Sequence, residues 1–123
     1  IHVEVPAVKH SDLGSTVVGE KSLVVRERVN KSRKIQLDRF KKDAIYSNSQ
    51  LTPKLLKKYC QLDNDGKELL KMAMVKKGLS ARAYDRILKV SRTIADIEGS
   101  ETIKANHIAE AVLYRTLDAK YWD

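Results

Sequence analysis

One cysteine, two prolines, five glycines and a single phenylalanine are spread over 123 residues, and each scarcity removes a class of protein. Cys60 has no second thiol to pair with, so no internal disulfide staples the chain, which fits a reducing compartment. With 6% aromatic residues and few turn-formers, the composition suits a helical domain more than a sandwich or barrel. No apolar run approaches the ~20 residues of a membrane span, and no charged-then-apolar leader opens the sequence. The expectation is a cytoplasmic protein with no membrane partner. His2, His10 and His107 are scattered without metal-ligand spacing, so no metal site is expected, and no Ser, His, Asp or Cys, His arrangement is visible. Cys60 is expected to be an ordinary packed thiol, and His107 to sit on the exposed first turn of a final helix. Length itself predicts one domain, able to bury about two thirds of its unfolded surface.

Positive charge, by contrast, is abundant. The formal net charge is +8 and the pI near 9.6, which favours polyanionic partners. Between Arg26 and Lys42 eight basic residues face only Glu27 and Asp38. Such a run attracts nucleic acid through counterion release, with Arg26, Arg33, Lys34, Lys41 and Lys42 as the contact stripe. Only Phe40 is aromatic within it, so a single-strand stacking platform is absent. A solvated helix face accounts equally well for the same residues.

Along the chain, Ile1, Val3 and Val5 alternate with His2 and Glu4 in the period of a strand. A strand at the first residue resembles the cut end of a larger sheet. A loop punctuated by Gly14 and Gly19 follows. A long helix is expected from Glu20 to about Ala44, half buried along Val25, Val29, Ser32, Gln36 and Phe40. Ser47-Asn48-Ser49 reads as a loop. Thr52-Pro53 supplies a cap and first-turn proline for a short helix to about Cys60. Asp63 caps another, with Leu69, Leu70, Ala73 and Met74 inward and Gly78 at its end. A last helix covers about Ala105 to Thr116, and Tyr121-Trp122 reads as a docking anchor.

Two motifs look like ligand sites and are not. Gly14 to Ser22 is one insertion away from the phosphate loop G-x-x-x-x-G-K-[ST]. Glu20 displaces Lys21 and Ser22 by about 100° around a helix and puts a carboxylate where phosphate should sit. Asp63-Asn64-Asp65-Gly66 begins like a calcium loop, but its twelfth position is Met74 rather than glutamate. A helix cap is the better reading.

The most informative stretch is Leu79 to Glu98. Ser80 is a good N-cap, and Leu79 with Tyr84 has the spacing of a hydrophobic staple. At about 100° per residue, Tyr84, Ile87, Leu88, Ser91, Ile94 and Ala95 share one side, with Arg82, Arg86 and Lys89 opposite. A cation in the first turn is disfavoured by ~0.3–1 kcal/mol, and Asp85 offsets only part of that. Arg82 therefore points to an anionic partner, although exposed basic residues are also the norm.

Leu79 to Glu98, continuing through Gly99-Ser100-Glu101-Thr102-Ile103-Lys104-Ala105-Asn106-His107 to Asp118, resembles the C-terminal domain of the magnesium-chelatase-like AAA+ ATPases, in the ComM/YifB subfamily. Ile1 to Pro6 is similar to the last strand of that ATPase core, Val25 to Val29 to its first lid helix, and Lys57 to Leu62 to the stretch before the sensor 2 region. The resemblance implies a mainly α fold, a helical bundle of AAA+ lid type. Residues 1–19 would be a remnant strand and loop of the core, and residues 20–123 the lid domain. It implies that Arg82 is the sensor 2 arginine, catalytic and nucleotide-contacting, with Arg86 and Lys89 beside it. It further implies ATP and Mg2+ in a full-length parent, contact with an upstream core and with neighbouring subunits of a homo-oligomeric ring, a hexamer, and DNA handling in competence or recombination. The phosphate loop, acidic magnesium motif and arginine finger would precede Ile1, so this chain alone is not expected to hold nucleotide or hydrolyse ATP. A subunit of a magnesium-inserting chelatase is a third reading, and no residue here resembles a tetrapyrrole or metal site.

Overall fold

A computed structural model describes residues 1, 3, 5–7, 10, 13–14 and 18–115. Among these residues five helices fold into a bundle: α1 (Ser22–Arg39), α2 (Pro53–Tyr59), α3 (Asn64–Lys76), α4 (Ala81–Glu98) and α5 (Ala105–Leu113), with a 3-10 turn at Asn48–Gln50. Helix α4 is the hub. It packs against α1, the 3-10 turn, α2 and α5, while α3 lies on α5. Among the described residues there is no strand, and none of the helices is long and apolar enough to cross a membrane.

Local chemistry sets most boundaries. Thr52 Oγ1 accepts the Leu55 N–H at 3.4 Å with Pro53 at the first helical position. Asp63 Oδ1 accepts the Gly66 N–H at 2.7 Å to open α3, and Ser80 Oγ accepts the Ala83 N–H at 3.3 Å to open α4. These caps satisfy backbone donors that have no intrahelical partner. Helix α4 stops at Gly99, whose φ of 77° lets Ser100 N–H turn back onto the Ala95 carbonyl at 2.8 Å. Gly78, with φ of 58°, does the same for α3 through Leu79 N–H and the Met74 carbonyl.

The core is Phe40, Leu51, Leu56, Cys60, Leu70, Ile87, Leu88, Ala95, Ile103, Ile108, Ala111 and Val112. Phe40 meets Tyr59 edge to face, with ring centroids 5.3 Å apart. An isolated parallel bridge between Leu62 and Ile103 ties the approach to α3 to the approach to α5.

Several expectations are corrected. Helix α1 ends at Arg39 rather than near Ala44, because Phe40 turns into the core and Ala44 takes a positive φ of 53°. Its buried stripe is Ser32, Gln36 and Phe40 alone, and Val25 and Val29 remain exposed. Tyr84, in the first turn of α4, is 40% exposed, although Ala83 beside it and Ile87 one turn on are buried. The Asn48 loop is a 3-10 turn whose asparagine is buried. His107 is 1% exposed. Its Nδ1 accepts the Lys104 N–H at 3.0 Å and its Nε2 meets the Glu98 carboxylate, so it closes the start of α5 inward. Ile1, Val3 and Val5 form no strand, while His2 and Glu4 lie outside the described residues, as do Ser15 to Val17 of the glycine segment and Tyr121-Trp122.

Candidate functional site

Ser80 begins α4 cleanly, and Arg82 follows as its second residue, exposed. Arg86 lies one turn further and is exposed, and Lys89 is half-buried on the same face. The i, i+4, i+7 spacing sets the three cations in one row. Among the described residues neither Arg82 nor Arg86 forms an ion pair. Lys89 is engaged, its Nζ donating to the Ser49 carbonyl at 2.9 Å. Arg86 and Lys89 also border an open cleft of about 710 Å³ between α4 and α5, with Val90, Ile94 and Ala111 along its floor and Tyr114 at the rim. Arg82 is not part of its wall. At the rim, Tyr114 donates to Glu110 at 2.8 Å, a contact that raises the phenol's pKa.

Behind the basic row lies a polar cluster that sequence reasoning missed. Asp96 on α4 is 1% exposed. Arg39, from the end of α1, embraces its carboxylate with both terminal nitrogens, one contact being 2.9 Å. Arg92 reaches the same carboxylate through Nε at 3.2 Å, and its other nitrogens donate to the Ser100 and Glu101 carbonyls at 2.6 and 2.8 Å. Asn48 completes the cluster. Its Nδ2 donates to Asp96 at 2.8 Å and to Thr93 at 3.1 Å, and its N–H to Gln36 Oε1 at 2.9 Å. Burial pulls the Arg92 pKa down, and the Asp96 charge opposes that shift. The available sequence signal was Arg92 and Asp96 at i, i+4, one step from Ser91 and Ala95 on the inward side.

The α1 stripe divides in two. Arg26, Arg33 and Lys34 are exposed on the helix, and every residue from Ser22 to Lys31 is exposed on all sides, so the first half of α1 stands clear of the bundle. Lys41 and Lys42 lie past the helix end and do not extend the row. Lys41 pairs with Asp38 at 2.7 Å, which holds the Asp38 carboxyl below its ordinary range. Cys60 is buried, and loss of solvent pushes its thiol up to about 11, the behaviour of a packed, unreactive cysteine.

The family described as magnesium chelatase, subunit ChlI C-terminal, matches residues 19–115. The chain belongs to this family. It is 44% identical over 118 residues to the competence protein ComM of Haemophilus influenzae, covering 95% of this chain and 22% of that protein. To the uncharacterized protein YifB of Escherichia coli it is 38% identical over 119 residues, covering 96% and 23%. YifB of Salmonella typhimurium is 43% identical over 100 residues, covering 81% and 19%. The chain thus spans about a fifth of the length of these relatives. The five helices of the described residues are the helical bundle that the resemblance implied, and the family match covers all of them.

Proposed function

We propose that this magnesium-chelatase C-terminal domain is the lid of an AAA+ ATPase, lying over nucleotide held by an upstream core in a cytoplasmic ring, a hexamer, with Arg82 as its phosphate-sensing arginine. One observation carries the reading. A firmly capped helix presents an arginine in its first turn, exposed and without an ion-pair partner among the described residues, where the helix dipole works against it. An anion near Arg82 and Arg86 would reverse that penalty, and the γ-phosphate of ATP with Mg2+ is the anion such a lid meets. Nucleotide supplies the bond that is cleaved. The chain's own part is a guanidinium that stabilises charge on phosphate and ties lid position to nucleotide state. Arg86, at the mouth of the cleft, is the second contact. Lys89, tied to Ser49, supports the row from behind.

The test is Arg82→Ala in the ATPase that carries this domain. Losing a charge-assisted contact of about 1.5–3 kcal/mol lowers hydrolysis roughly 10- to 100-fold. The melting temperature stays unchanged, because Arg82 touches no part of the core. Wild-type turnover would reject the assignment. Mixing the variant with a phosphate-loop mutant then separates the two geometries: recovered activity assigns Arg82 to the neighbouring subunit's nucleotide, no recovery to its own.

A second reading concerns DNA. Arg26 and Arg33, exposed seven residues apart on one face of α1, favour contact with a nucleic-acid backbone. The relative named a competence protein is compatible with such handling. Both activities can reside in one ring. Insertion of magnesium into a porphyrin has no residue here to support it.

A further inference from the structure

We propose that Arg39 is a positioning residue: by clamping Asp96 it fixes the angle between α1 and α4, and so sets where Arg82 stands relative to the chain that enters through α1. The proposal rests on the lid reading for its effect on hydrolysis, and on geometry alone for the clamp.

Helix α1 is attached to the bundle only by its last two turns. Ser32, Gln36 and Phe40 are buried, and every α1 residue before Ser32 is exposed. A helix held at one end pivots unless something resists rotation, and an apolar contact such as Phe40 is non-directional. The directional element is Arg39. A planar guanidinium paired twice with one carboxylate fixes orientation as well as distance. Asp96 cannot follow a moving Arg39, because Arg92 and Asn48 hold it on other sides. Arg92 in turn is anchored to the Ser100 and Glu101 carbonyls beyond the end of α4. Gln36 adds a second restraint through the Asn48 N–H.

The lever is long. Residue 27 lies 12 residues before Arg39, about 18 Å along the helix at 1.5 Å per residue, so a rotation of ~10° at the clamp displaces it by about 3 Å. Errors of ~1 Å in the placement of a catalytic contact can cost about 100-fold in rate.

Arg39→Gln tests this without stranding a charge, since Asp96 keeps Arg92 as a one-to-one partner. Spin labels at Glu27→Cys on α1 and Tyr84→Cys on α4 report the angle in this chain. Cys60, buried with its thiol at about 11, stays unlabelled. A narrow distance distribution is expected to broaden in Arg39→Gln and to stay broad in Arg39→Lys, whose single ammonium cannot pair twice with the Asp96 carboxylate, with circular dichroism showing both folded. An unchanged distribution overturns the clamp, whatever Arg82 does.

In the ATPase, Arg39→Gln is expected to lower turnover ~10- to 100-fold and to add little in an Arg82→Ala background, because both changes remove the same contact. Multiplying effects would make Arg39 a generic stability residue and overturn the positioning role. If Arg82→Ala is silent while the spin-label distances broaden, the sensor reading fails and the clamp stands.

Discussion

Gly66 shows how closely single residues are fitted. A Cβ added there would lie 2.8 Å from Asp63 Oδ1, the atom that caps α3, and 3.9 Å from the Ala105 backbone nitrogen. Gly→Ala inside a helix normally gains about 0.5–1 kcal/mol. Here the methyl group displaces the cap, which is worth about 1 kcal/mol. Gly66→Ala is therefore expected to yield no net stabilisation in urea unfolding. Asp63→Ala should cost about 1 kcal/mol in the native background and clearly less when Gly66→Ala is present. Additive effects of the two changes would contradict the fit. Glu98 offers a second residue-scale test. The hydrogen bond from His107 is the main cause holding its carboxyl below the ordinary 4.5. A lowered folded pKa means stability present above pH 4.5 and lost as pH falls through the lower folded value. Thermal melts between pH 6 and 3 should show a steeper acid limb for the native chain than for Glu98→Gln. Parallel limbs would mean that the His107 contact carries no such linkage.

Helices were legible wherever their ends carry chemistry. Thr52-Pro53, Asp63, Ser80 and Gly99 each act through a named hydrogen bond or a positive φ, and these signals lie within a few residues of the boundary they set. Helix α1 lacks them. Its N-cap position, Lys21, makes no side-chain cap, and its end is decided by Phe40 entering the core, a tertiary event that a run of basic residues gives no hint of. The inward side of α4 was read correctly at Ile87, Leu88, Ser91 and Ala95. It failed at Tyr84, which is 40% exposed on that side, since periodicity says which way a side chain points and not how much of a large ring its neighbours cover. Gly99 tests the end of α4. Nothing lies within 4 Å of its Cβ position, so Gly99→Ala incurs only the left-handed backbone penalty, about 1 kcal/mol, seen as a lower midpoint with an unchanged slope in urea. A much larger loss would show that the reversal at Gly99 also holds the Arg92 contacts to Ser100 and Glu101.

At the scale of the whole molecule, the buried cluster was illegible for a plain reason. Arg39 and Asp96 are 57 residues apart, and Asn48 and Asp96 48 apart, so no local pattern joins them. The exposed row of Arg82, Arg86 and Lys89 was legible because one helix carries all three. The α1 stripe lies between these cases, and its charges are not equivalent. Arg26 and Arg33 lack ion-pair partners among the described residues, whereas Lys41 is matched to Asp38. If DNA lies along α1, each unpaired cation that neutralises a phosphate contributes about 0.9 to the slope of log affinity against log salt. Arg26→Ala and Arg33→Ala should each reduce that slope by about one, uniformly across sequences. Lys41→Ala should change it far less, because its partner already screens it. Fluorescence anisotropy with a short duplex and a single strand, titrated from low to physiological salt, reads these slopes directly. Equal effects at Arg26, Arg33 and Lys41 would indicate a diffuse attraction to the +8 chain rather than a contact along α1. Absence of binding even at low salt would leave the projecting half of α1 as a solvated or intersubunit surface.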